Sequence, residues 1–117
     1  MYPERRLLEE LYRAFNARDI DAALAAMHPD VDWPNGMDGG RVHGRSAVRD
    51  YWTRQWTVID PHVEPLGFEI DEAGRTVVRV QQTIRNPAGR VLKDEVVEHA
   101  YELEDDLIRR MDSRKRR

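Results

Sequence analysis

The feature that most constrains this chain is a change of hydrophobic period near Pro61. Before it, apolar residues recur every three or four positions; after it, every second position. Leu7, Leu8, Leu11, Tyr12, Ala14 and Phe15 make one stripe on a helix over 3–16, with Pro3 suited to its first turn. Asp19 is placed to cap a second, short helix that turns Ile20, Ala23, Leu24 and Met27 inward. His28-Pro29 ends it, because a residue before proline avoids helical angles. Ser46 can cap a third helix to about Thr57, whose broad apolar side holds Val48, Tyr51, Trp52, Gln55, Trp56 and Ile59.

Beyond Pro61 four strands follow. One runs from His62 to Ile70 with Leu66, Phe68 and Ile70 on one face. The next, Thr76 to Arg85, sets Val78, Val80, Gln82 and Ile84 against Val77, Arg79, Gln81, Thr83 and Arg85. A long strand spans Val91 to Glu104, and the last runs from Leu107 to about Ser113. Turns are written at Asp71–Gly74, Asn86–Gly89 and Asp105-Asp106. Helices followed by hairpin-linked strands give an α+β arrangement, with helices on one face of an antiparallel sheet. At 117 residues this is one domain, 1–113, and the basic residues 114–117 read as a frayed C-terminal tail.

Charge and residue usage narrow the function classes. A net charge of −3 makes neither nucleic acid nor an acidic membrane the expected partner. Without cysteine there is no disulfide, thiol nucleophile or cysteine-bound zinc, which suits a reducing cytoplasm. No apolar run is long enough to span a membrane. His28, His43, His62 and His99 lack a paired i,i+4 spacing, so no metal is expected.

All three tryptophans lie in Asp30–Trp56, which joins a short strand (Val31–Pro34), a glycine-rich loop (Asn35–Gly44) and the third helix. The loop lacks the spacing of a phosphate cradle and no GK[ST] follows it. Trp33, Trp52 and Trp56, with Phe15 and Tyr12, read as the wall of a pocket for a small apolar or aromatic molecule. Core packing alone explains the same residues. The orientation of Asp38 and His43 on the loop is left open.

On the long strand His99 and Tyr101 share the apolar face with Val97 and Leu103, so they should face the helices, as should Gln82 on its neighbour. On the last strand Ile108 is the better core residue, which brings Arg110 and Asp112 to the same inner face. A histidine beside a buried carboxylate is material for general acid–base work. Two readings stand side by side: Asp112 and His99 as catalytic groups, or a structural Arg110–Asp112 ion pair beside a core histidine.

The segments AFNARDIDAALAAMHPDVDW (14–33), GRSAVRDYW (44–52) and DDLIRRMD (105–112), in that order, resemble the nuclear transport factor 2-like superfamily. The likeness is to its SnoaL-like polyketide cyclase and ketosteroid isomerase branches. The resemblance implies a cone-shaped, curved antiparallel sheet packed on three N-terminal helices around an internal cavity. It also implies a homodimer through the sheet face carrying Val77, Arg79, Gln81 and Thr83. Against the isomerases, Trp33 falls where the general-base aspartate is expected, Leu11 where the oxyanion tyrosine is expected, and His99 near the second oxyanion acid. Against the cyclases, His99 and Asp112 match a histidine–aspartate pair. That implies a cofactor-free isomerase or cyclase in which Asp112 abstracts a proton next to a carbonyl. The same fold also serves as a non-catalytic ligand-binding or dimerisation domain.

Overall fold

The computed structural model describes residues 3–115. Three helices, α1 (Pro3–Asn16), α2 (Ile20–Ala25) and α3 (Arg45–Val58), pack on one curved, unclosed six-stranded sheet. Its strands are β1 (Met27–Pro34), β2 (Arg41–His43), β3 (Asp60–Ile70), β4 (Thr76–Arg85), β5 (Val91–Glu104) and β6 (Leu107–Lys115). They lie side by side in the order β2-β1-β6-β5-β4-β3. The sheet is mixed: β1 runs parallel to β6, and every other pair is antiparallel. The fully antiparallel sheet of the sequence reading is corrected at this one seam.

That seam also explains why α2 is shorter than its apolar pattern. The Ile108 amide donates to the Ala26 carbonyl (2.9 Å). Pairing with β6 therefore begins one residue after the helix, and His28-Pro29 falls inside β1. Asp19 caps α2 as expected, accepting from the Ala22 amide. Ser46 does not cap α3, which starts two residues earlier than such a cap would set it, at Arg45 behind Gly44. Gly44 has φ 86° and donates its amide to the Val31 carbonyl (2.7 Å), a conformation that suits glycine. The edge strand β2 was read as loop, because three residues between glycines carry no visible alternation.

Two bulges set which residues face the helices. On β3 the register slips between Pro65 and Gly67, leaving Leu66 outside the ladder and 46% exposed. Pro61 and Val63 take the inner positions there, and Ile70, 59% exposed, lies at the far end of the strand. Of Leu66, Phe68 and Ile70, read from sequence as sharing one face, only Phe68 packs against the core.

On β6, Leu103 pairs with Ile108 but Glu102 pairs with Arg110, so Arg109 is an extra residue. Ile108 (0% exposed) and Met111 (4%) are therefore both buried although three positions apart. Arg110 and Asp112 turn to the outer face, opposite Glu102 and Ala100. This overturns the inward placement of both residues, because period 2 does not survive a bulge. The strand also runs on through Arg114 and Lys115, paired with Glu98 and Val97, so these two are not a frayed tail. The tail's last two residues lie outside the described residues.

Deleting Arg109 removes the extra residue and leaves Ile108 and Met111 inward and Asp112 outward on an unbroken period, so the fold should survive. The expected loss is about 1 kcal/mol or less, read as a small fall in the urea midpoint.

Candidate functional site

Helices and sheet enclose a cavity of about 410 Å³. Leu11, Tyr12 and Phe15 reach it from α1, Trp33 from β1, and Tyr51, Trp52 and Gln55 from α3. The inner rows of the sheet supply Val63, Gln82, Ile84, Val97, His99, Tyr101 and Met111. The aromatic rings brace one another edge to face, with centroids 5.2 Å apart for Phe15–Trp52 and 5.6 Å for Trp33–Trp52. Burial along β5 falls from Tyr101 (1% exposed) to the exposed Lys93, so the cavity opens where β5 begins and β6 ends. Lys93, Glu95, Arg114 and Lys115 line that opening, with Lys93 Nζ 3.1 Å from Glu95.

At the closed end lies a polar trio. The Tyr12 hydroxyl is 2.9 Å from His99 Nδ1 and 2.7 Å from the Tyr101 hydroxyl. Burial lowers the His99 pKa to about 4 and raises both tyrosines above their ordinary range, so the trio is uncharged near neutrality. Tyr12 has one proton for two partners. A phenol is the better donor and an imidazole nitrogen the better acceptor, so the stronger chain runs Tyr101 O–H to Tyr12, then Tyr12 O–H to Nδ1. His99 then carries its proton on Nε2, which meets no hydrogen-bonding partner among the described residues. Donation into Nδ1 polarises the ring and strengthens Nε2–H as a donor.

Trp33, Trp52, Tyr12, Phe15, Gln82, Tyr101 and His99, all anticipated from sequence, line the cavity. Trp56, Arg110 and Asp112 do not. Trp56 stands behind Phe15 and Trp52, with the Arg18 guanidinium 5.0 Å from its ring. Arg110 and Asp112 belong to an ion network on the outer face. Arg110 donates to both Asp112 oxygens at 3.0 Å and to Asp32 at 2.8 Å, and Arg41 joins Asp32 to Asp112. The Arg110 hydrogen bonds hold the Asp112 carboxyl below its usual range. Burial opposes ionisation of Asp32, but Arg41 and Arg110 outweigh it and lower that pKa too. Asp112 is thus a satisfied anion, turned away from His99.

The loop groups face outward: Asp38 pairs with Arg54 (2.9 Å), and the exposed His43 lies 3.8 Å from Asp32. Tyr51, Gln55, Lys93 and Glu95 line the cavity without having been singled out. Their signals were present, since Lys93 and Glu95 share the alternation of Val97 and His99, and Gln55 sits one turn from Tyr51. Among the described residues one trio, His28, Glu104 and Asp105, has metal-ligand spacing. His28 Nδ1 accepts from the Asp30 amide (3.0 Å), so a neutral ring carries its proton on Nε2, 3.1 Å from Glu104. That nitrogen is a donor to a carboxylate rather than a free ligand.

The sequence profile of the SnoaL-like domain matches residues 8–111. The chain belongs to that family. No curated protein sequence matches this SnoaL-like chain. Among solved structures it is similar to TerC, co-crystallised with polyporic acid, at 26% identity and TM-score 0.84, covering 98% of this chain and 92% of that one. An NTF2-like protein of unknown function from Burkholderia pseudomallei is 28% identical at TM-score 0.84, covering 99% and 92%. A Mycobacterium tuberculosis protein in complex with estradiol-17β-hemisuccinate is 18% identical at TM-score 0.81, covering 97% and 93%, and shows the shared fold. Among the described residues no helix is long and apolar enough to cross a membrane.

The buried His99 couples stability to pH. Its folded pKa of about 4 lies below the unfolded value, so the native state binds fewer protons between the two. The stabilisation is complete above about pH 6.5, falls as pH drops toward 4, and changes no further below that. Its full size is roughly 3 kcal/mol. His99→Leu should remove this part of the pH dependence, measured as the difference between the two proteins' urea-unfolding curves across that window.

Proposed function

We propose that this SnoaL-like domain binds a small, uncharged, apolar or aromatic molecule in its cavity, with one ligand oxygen against His99. The observation that carries this is the uncharged Tyr101–Tyr12–His99 chain at the closed end of an otherwise aromatic pocket. A neutral imidazole that donates through Nε2 suits a carbonyl or hydroxyl oxygen and suits a carboxylate less well, because the site holds no compensating positive charge. The co-crystallisation of TerC with polyporic acid supports a small-molecule ligand.

The same contact supports cofactor-free proton chemistry next to a carbonyl, an isomerase or cyclase reaction in which His99 polarises the oxygen. Asp112 has no part in it. Glu95 is the carboxylate among the lining residues, and Lys93 holds it at the opening. That observation favours the second reading, a ligand-binding domain without turnover. Homodimerisation through the outer face carrying Val77, Arg79, Gln81 and Thr83 belongs to either reading. Sedimentation at micromolar concentration should give a dimer, and a monomer would remove it.

Titration of tryptophan fluorescence tests the binding reading, since Trp33 and Trp52 are both lining residues. 2-Naphthol should bind, and His99→Leu should weaken it about tenfold while leaving naphthalene within about twofold. Equal loss for both ligands would sink the proposed oxygen contact. Deuterium exchange next to the carbonyl of β-tetralone separates the two readings. Exchange above background that is lost in His99→Leu and kept in Asp112→Asn supports catalysis; background exchange supports binding alone.

A further inference from the structure

The inner row of β6 runs Met111, Ser113, Lys115, and all three line the cavity. The register sets Met111 opposite Tyr101, Ser113 opposite His99 and Lys115 opposite Val97. Directly paired residues on antiparallel strands present their side chains to the same face, with Cβ atoms about 4.5–5.5 Å apart. Across the ladder His99 therefore stands between Val78 on β4 and Ser113 on β6, and of these two only Ser113 can form a side-chain hydrogen bond. Both groups are open to the cavity. Nδ1 of His99 is taken by Tyr12, which leaves Nε2 for a ligand, and this nitrogen is not enclosed as Gln55 Oε1 and Trp56 Nε1 are. Ser113 is exposed, and its hydroxyl has no hydrogen-bond partner among the described residues. It is the uncharged polar position between the apolar depth at Met111 and the charged opening at Lys115.

We propose that Ser113 is a specificity-determining residue of the cavity, its hydroxyl and His99 Nε2–H holding the same ligand oxygen from neighbouring strands. The proposal rests on the binding reading above and adds to it a second side chain at the oxygen contact. The two groups play different parts. Nε2–H can only donate, whereas a serine hydroxyl donates or accepts as its partner requires. A carbonyl oxygen would accept from both side chains through its two lone pairs. A phenol would accept from Nε2–H and pass its own proton to Ser113 Oγ. The imidazole sets how deep the oxygen lies, because stacking and hydrogen bonding on Tyr12 fix the ring. The serine sets which way the ligand turns, drawing its oxygen-bearing edge toward β6. An apolar ligand of the same shape gains nothing from Ser113.

The test titrates 2-naphthol and naphthalene on the intact chain by tryptophan fluorescence. Ser113→Ala should weaken 2-naphthol about fivefold and leave naphthalene within about twofold. Ser113→Thr keeps the hydroxyl and should retain most of the 2-naphthol affinity, whereas Ser113→Val, of the same shape, should lose it. Should the alanine variant fail to fold by circular dichroism, this threonine–valine pair decides the matter alone. Two groups that share one oxygen do not act independently, so in a His99→Leu background Ser113→Ala should cost less than about twofold. Unchanged 2-naphthol affinity in Ser113→Ala, or equal loss for both ligands, would overturn the role of Ser113 while leaving the His99 contact intact. Losses that combine in full in the double variant would overturn the sharing of one oxygen. Binding of 2-naphthol that ignores His99→Leu would instead remove the reading beneath it.

Discussion

The extra residue at Arg109 is the constraint on which the separation of the two sheet faces depends. Were Arg109 to take a ladder position of its own instead of bulging, strict alternation would bring Arg110 and Asp112 to the same side as Ile108 and turn Met111 to solvent. With the bulge, Met111 joins the cavity wall and both charged side chains pass to the outer face, where Asp32 and Arg41 wait for them. Each outer carboxylate there is met by two arginines within hydrogen-bonding distance, which is what a partly buried anion needs. The bulge thus keeps ionic groups out of the cavity and gathers them into a network that ties β1, β2 and β6 together.

The Tyr12 hydroxyl does the corresponding work inside. It is the one polar group on an apolar helix stripe, and burying it alone would be costly. Its bonds to His99 and Tyr101 remove that penalty and fix where α1 sits over β5. The ring stacking of Tyr12 on His99 (centroids 5.9 Å, planes 17° apart) leaves little freedom to slide. The contact that docks the helix is therefore also the contact that orients the imidazole, so stability and site geometry are coupled through a single hydroxyl.

Most of the fold was legible because hydrophobic period is a local property. The three helices, the β4–β5 hairpin and the inward rows of Val78, Val80, Gln82 and of Val97, His99, Tyr101 all follow from spacing. What was not legible depends on backbone events that leave no periodic trace. The bulges at Leu66 and Arg109 shift a strand's phase by one residue; Pro65 and Gly67 flank the first and could have flagged it, whereas no residue type announces the second. The parallel seam between β1 and β6 joins positions some eighty residues apart, and the edge strand β2 is too short to alternate. The site follows the same division: aromatic walls and His99 were readable from period, whereas Asp112 was misplaced by a bulge. Trp56 was misplaced for a different reason. A helix's apolar side is wider than a cavity, so one of two tryptophans a turn apart ends up packing behind the other.

Removing Asp112 from the cavity changes what chemistry the interior can support. An enolate formed there would carry a full negative charge into a space whose closed end offers only neutral donors. A hydrogen bond from His99 Nε2–H can spread that charge but supplies no counter-charge, and burial holds His99 neutral down to about pH 4. The interior therefore favours species whose charge is small or delocalised over rings, such as phenols, quinones and their enols, over a localised enolate. Any base strong enough to remove a carbon-bound proton has to come from the opening, where Glu95 is held by Lys93, or from the ligand's own hydroxyl. A doubly oxygenated aromatic would bring such a group with it. The neutrality of the cavity and the donor held at His99 thus point to the same ligands.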